Sequence, residues 1–201
     1  WSSDVCSSDL SKGDTGDGAD VAIVDTGIDD DHPDLQDNLG SGKAFVDCGS
    51  GGWTGNCTFY GNGNACNESW SDDNDHGTHC AGSASAVDNQ EGVVGVSTQA
   101  TLHAVKVLDC AGSGTFSDIA AGVEYVANQG WDVASLSLGG DSGSQTLHDA
   151  IQYADDNGVL VVAATGNAGP CTDCVKYPAK YPECLAVSAT TTDDALADFS
   201  S

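Results

Sequence analysis

The chain has 201 residues, of which 39% are hydrophobic, and its 31 Asp plus Glu against five Lys plus Arg give a formal charge of -26. That length buries one sizeable core and gives no ground for a second domain. Binding nucleic-acid phosphates or an anionic membrane takes basic residues, so both partners are excluded, and no stretch approaches the roughly 20 apolar residues that span a bilayer.

The acids, 27 of them Asp, are scattered singly among apolar runs, the pattern of a folded chain. Their mutual repulsion is relieved when molar salt shortens the screening length to roughly 3 Å, so a salt-adapted source is expected.

In chain order, the first ten residues, WSSDVCSSDL, show no periodicity and back-translate to a sequence resembling a sequencing-library adapter. Residues 1–10 are therefore expected to be a scar outside the fold. The β-branched run from Ala19 to Val24, ending in Asp25-Thr26-Gly27, predicts a buried parallel strand closing in a turn. From about Gly40 to Trp70 the chain is rich in Gly, Asn and Cys without periodicity, which predicts a surface insertion pinned by disulfides.

Thr101 to Leu108 reads as a second strand. Phe116 to Asn128 carries Ile119, Val123 and Val126 at helical spacing behind Thr115 or Ser117 as a cap. Asp132 to Leu138 reads as strand, Ser144 to Asn157 as a helix ended by Gly158, and Val159 to Ala164 as strand. Such alternation predicts right-handed β-α-β units in an α/β fold, three layers deep, with a mainly parallel sheet covered on both faces. Sites in these sheets gather at the carboxyl ends of the strands.

With Cys6 set aside as part of the scar, eight cysteines remain, at 48, 57, 66, 80, 110, 171, 174 and 184. An even, dense set points to an oxidising, extracellular setting and leaves the pairing open. Cys171 and Cys174 also have zinc-ligand spacing, but only Cys184 lies near enough in sequence to add a ligand. No helix pattern follows them to favour a redox motif.

Three motifs fall where strands end. DTGIDDDHPDL runs from Asp25 to Leu35, His76-Gly77-Thr78-His79-Cys80-Ala81-Gly82 follows the insertion, and Ala164-Thr165-Gly166-Asn167-Ala168-Gly169 closes the last predicted strand. Taken singly, the first and third are turn signals. A zinc reading of His76 and His79 lacks the glutamate of an HExxH helix.

Together they resemble the subtilisin-like serine peptidase family, in its proteinase K-like or halolysin-like branch, nearly continuously from about Gly13 onward apart from the insertion. The resemblance implies a subtilisin-like α/β/α domain, incomplete at the C-terminus, over residues 11–201. It implies Asp25 as the carboxylate that orients the base His76, and Asn167 as the oxyanion donor. The family's Gly-Thr-Ser-x-Ala segment does not occur in the 201 residues, and neither Ser200 nor Ser201 has its flanking residues.

The parent protein is expected to be a secreted, monomeric serine endopeptidase made with a pro-segment and acting on proteins or peptides. This stretch alone is expected to be inactive. The alternative is a non-catalytic peptide-binding relative.

The resemblance also places Gly112, Ser113 and Gly114, with Ser137, Leu138 and Gly139, along an extended substrate. Phe116, Ile119 and Leu138 would line an apolar pocket four residues before the cut. No charged residue is identified for the pocket at the cut itself, so a broad apolar preference is expected. Calcium is implied on Asp34, the Asn89 side chain and the carbonyls of Val87, Glu91 and Val93. Cys80 matches a buried free cysteine of the branch, with a disulfide to Cys110 as the rival.

Overall fold

Residues 15–46 and 68–201 are described by the computed structural model. The expectations for the N-terminal scar, for Cys48, Cys57 and Cys66, and for most of the insertion lie outside them. Short runs of small and β-branched residues form six strands: β1 (Asp20–Asp25), β2 (Leu39–Ala44), β3 (Thr101–Lys106), β4 (Val133–Leu136), β5 (Leu160–Ala164) and β6 (Leu185–Val187). They pair in the order β2-β3-β1-β4-β5-β6, every pair parallel. Three helices accompany them, α1 (His76–Ser85), α2 (Phe116–Gln129) and α3 (Gln145–Asp156).

The central strand shows how the layers form. Ala22 and Val24 of β1 face one core with Val105, Leu136 and the apolar sides of α2 and α3. Ile23 faces the opposite core with Leu102, Ala104 and Ala81 of α1. With both faces covered, every β1 residue from Ala22 to Asp25 is buried, as a parallel sheet requires. The expected α/β/α architecture is therefore the observed one.

The expectation of uniformly right-handed units does not hold. The β2-α1-β3 and β3-α2-β4 connections travel the same way across the sheet, yet α1 and α2 lie on opposite faces. Two such connections cannot share a hand, so one of them breaks the right-handed rule. Its effect is to bring the start of α1 against the end of β1.

Helix α2 begins where the sequence indicates: the Thr115 side chain accepts the Asp118 N–H at 3.1 Å. It ends at Gly130, whose φ of 74° suits glycine. Two strands differ from expectation. β2 lies within the stretch read as a loop, because Leu-Gly-Ser-Gly-Lys-Ala carries no apolar alternation. Its Gly42 is fixed by packing, since a Cβ there would sit 2.5 Å from the Trp70 ring. β6 escaped notice because it is three residues long and exposed throughout.

The cysteines are also clarified. Cys171 and Cys174 are joined to each other, which removes the zinc and dithiol readings of that pair. Cys110 is disulfide-bonded while Cys80 and Cys184 are free thiols, so the rival Cys80–Cys110 bridge is overturned. Among the described residues no helix is long and apolar enough to cross a membrane.

One ion pair is fully enclosed. Lys106, in register with Asp25, places its ammonium 2.5 Å from the Asp73 carboxylate and 2.5 Å from the Thr26 carbonyl. Removing one partner strands a buried charge, which costs about 3–5 kcal/mol, whereas replacing both with apolar groups of similar volume is far milder. Asp73→Ala should therefore lose about that much in urea unfolding, and the Lys106→Met, Asp73→Leu pair should recover most of it.

Candidate active site

The site is built where the turn after β1 meets the first turn of α1. An α-helix opens with N–H groups that have no partner inside the helix. Here the preceding residue, Asp75, adopts a left-handed φ of 82° and supplies no side-chain cap. Other residues take that role. Thr26 Oγ1 accepts the Gly77 N–H at 2.9 Å, and Asp72 accepts the Thr78 N–H at 2.9 Å and its hydroxyl at 2.6 Å.

Thr26 in turn donates its hydroxyl to Asp72 at 2.8 Å, which ties the two segments together. Burial alone would raise the Asp72 pKa, but hydrogen bonds from Thr78, Asn74 and Thr26 hold it below the usual carboxylate range.

This docking brings His76 Nδ1 to 2.7 Å from Asp25 Oδ1. Asp25 is wholly buried, and the same oxygen accepts the Thr26 N–H at 2.7 Å. Its Oδ2 is buried without a hydrogen-bond partner, so compensation of the carboxylate is concentrated on the side facing the imidazole. The hydrogen bond to Asp25 raises the His76 pKa. Desolvation opposes it, and the charges of Asp25 and Asp72 reinforce it.

One turn on, Cys80 brings its thiol into a group with Asp25 and His76 whose ligand-type atoms lie within 4.8 Å of one another. Burial, reinforced by Asp25, pushes that thiol up to about 11, so at neutral pH it is a neutral neighbour of the pair.

Beside His76 opens a cavity of about 490 Å3. It gathers Gly112, Ser113, Gly114, Phe116, Ile119, Ser137, Leu138 and Gly139, all eight residues placed along the substrate. Of its three apolar side chains, Phe116 is exposed, Ile119 is buried, and Leu138 packs partly into the core. Asn74 and Tyr177 also line it and were missed. Tyr177 had no motif to mark it: an antiparallel bridge to Gly140 puts it there.

Asn167 lies exposed on the loop after β5, just past Gly166 with its φ of 108°, and is not among the residues lining that cavity. Ser201 braces its loop, accepting the Ala168 N–H through Oγ and donating its own N–H to the Gly166 carbonyl, both at 3.0 Å. Ser200 is buried with its hydroxyl oxygen accepting the Ala189 N–H, as suits a structural residue.

Far from the pair, the 87–93 loop closes over buried Asp34. Its carboxylate accepts from Val93 N at 2.9 Å and Asn89 Nδ2 at 3.1 Å, and Asn89 Oδ1 accepts from the Glu91 N–H at 2.6 Å. Val87 donates its N–H to the Asp34 carbonyl. Gly92 permits the closure, since a Cβ there would meet Asp34 Oδ2 at 2.1 Å. Asp34, Asn89 and the loop carbonyls carry oxygens of the kind calcium takes, while here Asn89 turns Nδ2 toward Asp34 and Oδ1 toward the Glu91 N–H.

A carboxylate-oriented histidine at the carboxyl end of a parallel sheet, beside a groove, defines a serine-peptidase-like half-site, and comparison with known proteins agrees. The Subtilase family profile, Peptidase_S8, matches residues 16–201, and the chain belongs to that family. It is 44% identical to Subtilisin Savinase of Lederbergia lenta over 189 residues, covering 94% of this chain and 62% of the relative. It is likewise 44% identical to Thermitase of Thermoactinomyces vulgaris over 186 residues, covering 92% and 60%.

Among solved structures, Sphericase superposes with a TM-score of 0.78 at 36% identity, covering 92% of this chain and 59% of that one. The chain thus spans less than two thirds of the length of each of these relatives.

The raised His76 pKa has a definite pH signature. The stabilisation from the His76–Asp25 pair is fully present below the unfolded histidine pKa, about 6.5, and is lost as pH rises through the higher folded value. Titrated by NMR, the His76 imidazole should lose its proton above the usual histidine range, and Asp25→Asn should return it toward that range. An unshifted His76 in the parent chain would contradict the 2.7 Å pairing.

Proposed function

We propose that the protein to which these residues belong is a secreted serine endopeptidase using Asp25, His76 and Asn167. The 2.7 Å contact between buried Asp25 and half-exposed His76 carries this reading. Asp25 Oδ1 accepts the Nδ1–H, which fixes the tautomer and leaves the Nε2 lone pair free. His76 is half exposed toward the groove, so Nε2 can take the proton of a serine hydroxyl and return it to the leaving amine. The imidazolium formed between these steps is the state that the Asp25 hydrogen bond favours.

Asn167, on its braced loop, would donate its amide to the oxygen that becomes negative in the tetrahedral intermediate. A protein or peptide substrate would lie extended along Gly112–Gly114 and Ser137–Gly139, with Phe116, Ile119 and Leu138 accepting an apolar side chain. The nucleophile is not supplied by the 201 residues. Disulfides at Cys110 and Cys171–Cys174 support an extracellular setting, and a pro-segment and a monomeric form complete the proposal. Asp34 and Asn89, with the Val87, Glu91 and Val93 carbonyls, would hold a structural Ca2+.

Two measurements test this. The longer reading frame should hydrolyse casein, and Asp25→Asn should lower kcat by about 10⁴, as loss of the orienting carboxylate does in such triads. The 201-residue chain alone should show no turnover. A longer frame that binds peptides but cleaves none would instead make the protein the non-catalytic relative.

Calcium should raise Tm by several degrees, because ligand at a hundred times Kd adds about 2.7 kcal/mol. EDTA should reverse the shift, and Asp34→Asn should abolish it. An unchanged Tm would remove calcium from the proposal.

A further inference from the structure

The peptide-groove reading fixes where the side chain nearest the cut must go. If the main chain follows Ser137–Gly139 and the carbonyl to be cleaved points to Asn167, that side chain enters the gap between the segments beyond β4 and β5. The structure shows what lies there. Lys176 donates its N–H to the Thr165 carbonyl at 2.9 Å, and Tyr177 exchanges two hydrogen bonds with Gly140, at 2.9 and 3.0 Å.

Residues 176 and 177 are thereby laced to the two segments, one to each. A Cβ on Gly139 would lie 2.9 Å from Lys176 Cβ, and one on Gly166 would lie 2.6 Å from Lys176 Cγ. Both glycines leave room for the lysine stem, which lies at the floor of the gap.

The ammonium reaches out of the gap to Asp141, and the exposures differ sharply: 25% for the Lys176 side chain against 85% for Asp141. An ion pair with so exposed a partner contributes little and exchanges readily. A carboxylate held inside the gap would be better screened from water and would form a charge-assisted hydrogen bond.

The other described lysines are engaged elsewhere. Lys106 is buried on Asp73, Lys180 pairs with Asp173, and Lys43 lies over the Phe45 and Tyr125 rings. In a chain with five basic residues and 31 acids, a lysine at this place marks the site chemically.

We propose that Lys176 reads the side chain on the acyl side of the cleaved bond and directs the protein to Glu or Asp there. This rests on the groove reading above and replaces the broad apolar preference expected from sequence at that position. The apolar contacts at Phe116, Ile119 and Leu138 are unaffected, so the preferred peptide combines an acidic residue at the cut with an apolar one three positions before it.

Binding can be measured on the folded protein of the longer reading frame, carrying His76→Ala so that no peptide is cleaved. The probes are acetylated, C-terminally amidated tetrapeptides that differ only in a last residue of Glu, Gln or Leu, titrated calorimetrically at fixed salt. The Glu peptide should bind about tenfold tighter than the Gln peptide, equivalent to about 1.4 kcal/mol. Asp141→Asn should widen that ratio, and Lys176→Gln should reduce it to near unity without changing the Leu peptide's affinity.

Phe116→Ala should weaken all three peptides by a similar factor. Equal binding of Glu and Gln by the parent chain, or a preference that survives in Lys176→Gln, overturns the role of Lys176 while leaving the groove. Failure of all three peptides to bind overturns the groove and this inference with it.

Discussion

The site depends on one close approach, the first turn of α1 seated on the turn that ends β1. A Cβ at Gly77 would lie 2.1 Å from the Gly27 carbonyl oxygen, so no other residue at 77 permits that contact without displacing backbone. Only at this range can Thr26 reach the Gly77 N–H and Asp25 reach His76. Asp72, held ionised by Thr26, Asn74 and Thr78, completes the joint from the other side. The Lys106–Asp73 pair lies under the same turn and bonds the Thr26 carbonyl. Asp25 thus owes its position to groups above and below it, none of which need touch a substrate.

The reversed hand of one crossover acquires a purpose in this setting. Connections of uniform hand would place α1 on the same face as α2 and α3. Lying on the opposite face, α1 presents its N-terminal end to β1, while α2 begins beside the groove with Thr115 and Phe116. His76 and the groove wall therefore reach the same strand ends from two different layers.

Much of this was legible in the sequence, for identifiable reasons. β1 announces itself because a parallel strand buried on both faces reads as an unbroken apolar run, and β3 and β5 through their Ala- and Val-rich stretches. Helices α2 and α3 announce themselves through the spacing of Ile119 and Val123 and of Leu147 and Ile151. Asp25 and His76 stood in motifs whose small residues are explained by the close approach at Gly27 and Gly77.

The features that stayed hidden are fixed by tertiary contact. β2 exists because Gly42 makes room for Trp70, and Tyr177 lines the groove through a pairing with Gly140, 37 positions away. Lys176 had no local signal either. Its meaning comes from two glycines on other segments, and sequence alone read that pocket as uncharged.

The capping of α1 has a further consequence for how the protein comes to exist. Its first turn follows a left-handed Asp75 and carries no cap of its own; the Thr26 hydroxyl that bonds the Gly77 N–H comes from 51 residues earlier in the chain. Such a helix start is poorly stabilised in isolation and gains its hydrogen bonds only once β1 is in place. The Asp25–His76 pair thus forms only when the first turn of α1 docks on the turn after β1. A nascent or partly unfolded chain carries Asp25 and His76 but not the pair they form, so the imidazole is held in one orientation only once the folded contact exists.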